Sequence, residues 1–282
     1  MIKKYLNKQD IDALLPVRKC DTHKGDYGKI LLLCGSRGYT GAAYFAAMGA
    51  LRSGAGVVYL GVPESIYEIE AVKLSEPVIF PLPDKDGKLS SHAIKIIAEY
   101  LPKMDAVLIG PGLGISKEVY SVVEFVLQNF DGPVVVDADG INVLSGHTHI
   151  LRDRTAPTIL TPHDGEFIRL GGELSDHRQT SAAKLAIETN SIVLLKGYRT
   201  IITDGDNCYV NQTGNPGMAT GGSGDVLAGI IVSLLGQGIS PLEAAACGAW
   251  LHGAAGDICA REIGQYGMLP QDMLQVLPRL LP

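Results

Sequence analysis

No stretch of the chain approaches the ~18 apolar residues of a membrane span. The lysines among the first ten residues are not followed by an apolar run of signal-peptide length, so no membrane partner is expected. The five cysteines (20, 34, 208, 247, 259) are odd in number and form no C-x-x-C pair. Neither a zinc site nor a disulfide framework is indicated, and a reducing cytoplasm fits best. A net charge of −6, with no dense Lys/Arg block, makes nucleic acid an unexpected partner. Internal repeats and low-complexity tracts are also missing. What remains is an ordinary globular balance, 46% hydrophobic and 19% charged, with 34 glycines gathered at the ends of apolar runs. Glycines so placed indicate tight turns and ligand-facing loops rather than a linker.

The apolar runs are short and alternate with helical stretches. Strands are expected at Lys29 to Cys34, Val57 to Val62, Asp105 to Ile109, Pro133 to Val136, Thr158 to Leu160 and Ser191 to Leu195. Helices are expected over 91–101 with a Ser cap, over roughly 116–129, and after a Ser240-Pro241-Leu242-Glu243 capping box. The first 22 residues are polar. This alternation is the pattern of a mostly parallel sheet covered on both faces. Polar, Gly-rich sequence recurs at the carboxyl ends of the strands, where open α/β sheets bind ligands. The first such loop, Gly35 to Ala43, lacks both the Walker A lysine and the G-x-G-x-x-G fingerprint, so alone it reads as a tight turn.

The most informative stretch is Asn215-Pro-Gly-Met-Ala-Thr-Gly-Gly-Ser-Gly-Asp225, followed by apolar residues at 226, 227, 230, 231, 234 and 235. That spacing is one face of a helix, so the glycines sit at its start. Open backbone N–H groups and the positive end of the dipole suit a phosphate there. Asp225 then has two readings: a helix cap, or a base for a hydroxyl that attacks phosphorus. Asp137, Asp139 and Asn142 are candidates for magnesium through water, or turn-formers. His163 and Glu166 follow a strand, where His can donate to a substrate and Glu can orient water or metal, or favour a helix start. Lys196 either reaches an anion or snorkels to solvent. His252 reads as packed rather than reactive.

Taken together, His23-Lys-Gly-Asp-x-Gly28, Gly110-Pro-Gly-Leu-Gly114, Val136-Asp-Ala-Asp139, Thr161-Pro-His-x-Gly-Glu166, Lys196-Gly197 and Gly221-Gly-Ser-Gly-Asp225 resemble the ADP/ATP-dependent NAD(P)H-hydrate dehydratases of the ribokinase-like superfamily. The likeness runs from about residue 10 to the C-terminus, and with no epimerase domain before it the chain looks like the stand-alone form. The resemblance implies a single ribokinase-like domain over 1–282, a three-layer α/β/α fold with a mostly parallel central sheet. It implies dehydration of the S form of hydrated NADH or NADPH by phosphorylation of the ring hydroxyl and loss of phosphate, with ADP or ATP as co-substrate and Mg²⁺ as cofactor. It assigns catalysis to Asp225, and hydrate binding to Ala42, Ala43, Gly112, His163 and Asp225. Nucleotide contacts fall to Lys196, Gly197, Tyr198, Arg199, Thr200, Gly222, Ser223 and Gly224, and a metal contact, directly or through water, to Glu166. In related small-molecule kinases the position of His163 often carries Asn, in an N-x-x-E pattern. A homo-oligomer is expected. Two other readings stand beside this one: a kinase of a thiazole or pyrimidine alcohol, which would stop at the phosphate ester, and a non-catalytic nucleotide-binding regulator.

Overall fold

A computed structural model describes residues 2–282. Its strands are β1 (Ile2–Lys4), β2 (Lys29–Leu33), β3 (Val57–Pro63), β4 (Val78–Leu82), β5 (Asp84–Lys85), β6 (Lys88–Leu89), β7 (Ala106–Ile109), β8 (Val134–Val136), β9 (Thr158–Leu160), β10 (Ile192–Leu195), β11 (Ile201–Thr203) and β12 (Asn207–Val210). Its first helices are α1 (Lys8–Leu14), α2 (Thr40–Arg52), α3 (Glu64–Lys73), α4 (Ala93–Tyr100), α5 (Lys117–Asn129) and α6 (Asp139–Val143). The remainder are α7 (His149–Arg152), α8 (Asp164–Arg169), α9 (Arg178–Thr189), α10 (Ser223–Gly236), α11 (Pro241–Glu262) and α12 (Pro270–Val276).

Ten strands form one sheet in the order β1-β12-β11-β10-β9-β8-β7-β2-β3-β4, and β5 and β6 make a separate hairpin. Only β11 runs against its neighbours in the large sheet. Because successive side chains point to opposite faces, Ile30 and Leu32 enter one core layer and Leu31 and Leu33 the other. Both faces are buried, which is why these strands read as continuous apolar runs. Each such Leu or Ile contributes about 1.5–3 kcal/mol by leaving water.

The polar N-terminus supplies a strand, β1, beside β12. The helix expected over 91–101 is Ala93–Tyr100, and its N-cap is His92 without a side-chain bond rather than a serine. The Ser240 box is also altered: the hydroxyl donates to Glu243 Oε2 at 2.6 Å instead of serving the helix backbone. Helix α10, expected to bury one face, is buried all round from Val226 to Leu235. It lies between α2, α11 and the sheet, so its amino end is held from several sides.

Candidate active site

Sheet register assembles the site. Ile109 pairs with Val136, and Val136 with Leu160, so Gly110, Asp137 and Thr161 leave the sheet side by side. Lys196 follows from β10. Asp137, 1% exposed, accepts hydrogen bonds through Oδ1 from Thr161 Oγ1 at 2.6 Å and from Lys196 Nζ at 2.9 Å. The same ammonium lies 3.8 Å from Glu166 Oε2. Burial pulls the Lys196 pKa down, but Asp137 and Glu166 more than offset it, leaving the pKa above its ordinary value. Lys196 is thus a held, charged group at the strand ends and does not snorkel. Asp137 is consumed as its partner and as the acceptor for Thr161, a residue the sequence reading left without a role. A threonine ending a buried strand next to a charged partner was the available signal.

Asp139 and Asn142 tie this segment to distant parts of the chain. Asp139 accepts from the Gly114 N–H at 2.8 Å, and Asn142 accepts from Arg169 Nε at 2.8 Å. Between the two aspartates, Ala138 is held at φ +48°, ψ −115°, an unusual backbone state for a residue with a side chain.

The Gly-rich stretch forms the start of α10, with Gly222 at the N-cap in the left-handed region at φ +93°. A Cβ at Gly222 would lie 2.6 Å from the Phe45 ring, so both conformation and space require glycine. Among the described residues, the N–H groups of Gly222, Gly224 and Asp225 have no acceptor. Asp225 is not the cap: it stands in the first turn, and its carboxylate makes no bond to the helix end. Burial pushes its pKa up to about 7; Asp137 and Asp139 add to the shift and Lys196 opposes it. Lys196 Nζ is 3.5 Å from where a Gly224 Cβ would sit. A carboxyl that titrates near neutrality, a fixed ammonium and open N–H groups therefore share one corner. This set can take a proton from a hydroxyl and hold a transferring phosphoryl group.

Ser223 needs a correction. Its hydroxyl turns into the core, 3.2 Å from His252 Nε2, and both side chains are buried. Only its backbone can meet a nucleotide, and that N–H is directed at Thr220 O, 3.4 Å away. Burial pulls the His252 pKa down to about 4, so His252 is a packed neutral residue that also braces the first residue of α10.

The hydrate-side residues divide. A Cβ at Gly112 would lie 2.7 Å from the Ala42 methyl, which brings the two predicted positions together. Ala43 is corrected: it is fully buried, packed 3.0 Å from a Cβ built on Gly35, and cannot touch a ligand. His163, 54% exposed on its side chain, is the N-cap of α8, where Nδ1 accepts from the N–H groups of Gly165 at 3.0 Å and Glu166 at 3.3 Å. An accepting Nδ1 carries no proton, so Nε2 holds it, 3.3 Å from Glu166 Oε1. His here does what Asn does well at an N-cap.

Glu166 completes that box by accepting from the His163 N–H at 2.9 Å. Its other oxygen, Oε1, lies 3.3 Å from His163 Nε2. Among the described residues no group of three His, Cys, Asp or Glu could hold a metal. Hard carboxylate oxygens beside an anion loop nevertheless suit Mg²⁺, which keeps several waters and relies on substrate phosphates.

Gly197 to Thr200 form the turn between β10 and β11, closed by Thr200 Oγ1 donating to Gly197 O at 2.9 Å. Tyr198, 87% exposed, and Arg199, at φ +55°, project from it and do not touch the carboxylate cluster. Arg178, which the sequence reading missed, fastens this turn by donating to Lys196 O at 2.9 Å and to Asp164 Oδ1 at 2.7 Å. Nothing local distinguishes it within its polar stretch.

A family model of NAD(P)H-hydrate dehydratases matches residues 30–279. The chain is 46% identical over 273 residues to a bifunctional NAD(P)H-hydrate repair enzyme of Moorella thermoacetica, covering 95% of this chain and 52% of that protein. It spans about half the length of such bifunctional relatives. It is 35% identical over 282 residues to an ADP-dependent (S)-NAD(P)H-hydrate dehydratase of Bacillus subtilis, covering 98% and 97%. The crystal structure of the ADP/ATP-dependent NAD(P)H-hydrate dehydratase from Bacillus subtilis, co-crystallised with ATP/Mg²⁺, superposes with a TM-score of 0.84 at 34% identity, covering 97% and 96%.

Proposed function

The chain belongs to the NAD(P)H-hydrate dehydratase family, with a ribokinase-like α/β/α fold, and we propose that it returns the S form of hydrated NADH or NADPH to the dihydronicotinamide at the expense of ADP or ATP. The observation that carries this reading is the Asp225 corner: a carboxyl near pKa 7 beside open N–H groups and Lys196. In the ionised form Asp225 takes the proton of the ring hydroxyl as its oxygen attacks the terminal phosphorus of the nucleotide. The phosphoanhydride bond breaks, leaving AMP from ADP or ADP from ATP. The N–H groups at Gly222, Gly224 and Asp225 face the charge that builds on the transferring group, and Lys196 offsets it. The ring nitrogen then pushes its electron pair toward the carbon bearing the ester, phosphate departs with the C–O bonding pair, and loss of a proton from the adjacent ring carbon to the departing phosphate or solvent restores the ring double bond. Bound Mg²⁺ would neutralise charge on the nucleotide phosphates, with Glu166 holding one of its waters.

Ala42, Gly112 and His163 would line the hydrate half, and the Lys196 to Thr200 turn with Gly222 to Gly224 the nucleotide half. We further propose one catalytic unit over 1–282, a homo-oligomer and a cytoplasmic setting. The five free cysteines support the reducing compartment, and exposed Ile69, Val72 and Val78 along α3 and edge strand β4 support self-association. Mixing the purified protein with hydrated NADH and either nucleotide should restore the dihydronicotinamide absorbance. Phosphorylation of a thiazole or pyrimidine alcohol without that recovery would overturn the reading.

A further inference from the structure

The β5–β6 hairpin lies outside the main sheet, yet it rests on both loops of the hydrate half. Its turn has Asp86 at φ +54° and Gly87 at φ +76°, the tight two-residue form that favours Asp-Gly. At the tip, Gly87 O accepts from the Arg37 N–H at 2.9 Å, and a Cβ on Gly87 would lie 2.4 Å from Arg37 Cβ and 3.2 Å from its Cδ. On the other side, the Lys88 stem packs against Gly114, 2.8 Å from a Cβ built there, and its ammonium donates to Ile115 O at 3.3 Å. The hairpin thus bridges the Gly35–Ala43 loop and the Gly110–Gly114 loop. Those loops also meet directly, because Ser36 Oγ donates to Gly112 O at 2.7 Å.

Arg37 stands out in this arrangement. Its stem is held along the backbone of Gly87, whereas its exposed guanidinium has no hydrogen bond or ion pair among the described residues. The neighbouring Lys88 is committed to Ile115 O, and Asp84 is committed to the Ser65 N–H and hydroxyl. Asp86 is exposed at the tip. A cation held by its stem with its planar head free is arranged to receive a bidentate anion. It lies five positions before Ala42, on the loop that leads into α2.

We propose that Arg37, seated on the β5–β6 hairpin, binds a phosphate group of the dinucleotide hydrate and so contributes to substrate selection. The proposal rests on the dehydratase reading. Two phosphates share this chemistry: the pyrophosphate of both hydrates, and the 2′-phosphate that only the NADPH form carries.

Steady-state kinetics of the wild type, Arg37→Ala, Arg37→Glu and Arg37→Lys with hydrated NADH and hydrated NADPH, at saturating ADP, tests it. Loss of a charge-assisted hydrogen bond should raise KM roughly ten- to a hundredfold in Arg37→Ala. The rise should be larger in Arg37→Glu and only partly reversed in Arg37→Lys, which keeps the charge but not the planar fork, with the loss falling on KM rather than kcat. A rise for both hydrates assigns the pyrophosphate, and a rise for the NADPH hydrate alone assigns the 2′-phosphate. Unchanged KM for both, or a change confined to kcat or to the KM for ADP, overturns the proposal. Failure of the wild type to dehydrate either hydrate would instead strike the dehydratase reading.

Discussion

The two ends of the central sheet carry similar-looking sequence and behave differently. At the amino end, His23-Lys-Gly-Asp-x-Gly28 precedes β2 and closes on itself: Asp26 accepts from the His23 N–H at 2.8 Å. Gly28, at φ +86°, lies so close to the last residue of α10 that a Cβ would meet Gly236 O at 2.2 Å. At the carboxyl end, Gly221 has no atom within 4 Å of its built Cβ, and three neighbouring N–H groups are unpaired. Gly28 lets backbone touch backbone, whereas Gly221 leaves room for something that is not protein. Asp and His beside a glycine therefore mark function only where the backbone around them is left open.

The most severe way to probe this contrast is Asp225→Asn, which should lower kcat by ~10²–10⁴-fold while nucleotide still binds. Near wild-type turnover would return Asp225 to a structural role. In the wild type, kcat/KM should rise with pH through about 7, because the base must be ionised and burial raises its pKa to that value. The stability sign is opposite. The folded state holds this proton more tightly than the unfolded chain, so stability present below about pH 4 is lost as pH rises toward about 7. Asp225→Asn should therefore melt above the wild type at pH 8, and a lower melting temperature in calorimetry would contradict the burial argument.

Lys196→Met comes next. It leaves buried Asp137 with Thr161 alone, and breaking such a pair typically costs about 3–5 kcal/mol. Denaturant titration should show that loss, along with weaker nucleotide affinity; undiminished stability would make the pair dispensable. At the closed end, Gly28→Ala should cost about 2–5 kcal/mol from its left-handed backbone and its overlap with Gly236. Gly221→Ala should stay within about 0.5 kcal/mol of the wild type, and equal costs for the two would erase the contrast. A modest effect is expected of His252→Phe, about 1 kcal/mol for the lost bond to Ser223, measured against a Ser223→Ala, His252→Phe double-mutant cycle. Strict additivity there would deny the bracing contact.

The sequence exposed the parallel sheet and the polar loops along its carboxyl edge because buried strands are continuous apolar runs that end in such loops. It exposed the α10 start because a helical period follows the glycines. It did not reveal that Asp137 is spent on Thr161 and Lys196, since that depends on register between strands far apart in the chain. The inward turn of Ser223 was hidden for the same reason, as its partner lies on α11. Ala42 and Ala43 are identical residues, and only the helical rotation of α2 decides which one faces Gly112. The β5–β6 hairpin is four strand residues around Asp-Gly, too short to register as periodicity.

Helix α2 meets α10 with no side chain between them at the closest points. A Cβ on Gly49 would lie 2.6 Å from Val226 O, and one on Gly229 would lie 2.2 Å from Ala46 O. Because α2 begins at the loop proposed for the hydrate and α10 at the loop proposed for the phosphoryl group, this contact acts as a caliper with a fixed gap. On the proposed placement of the two substrates, the span from hydroxyl to phosphorus would be set by two backbones in close contact, which cannot slide without overlap. Adjustment to a longer or shorter nucleotide must come from the outer turns, such as Gly197 to Thr200, while the jaw itself keeps its opening.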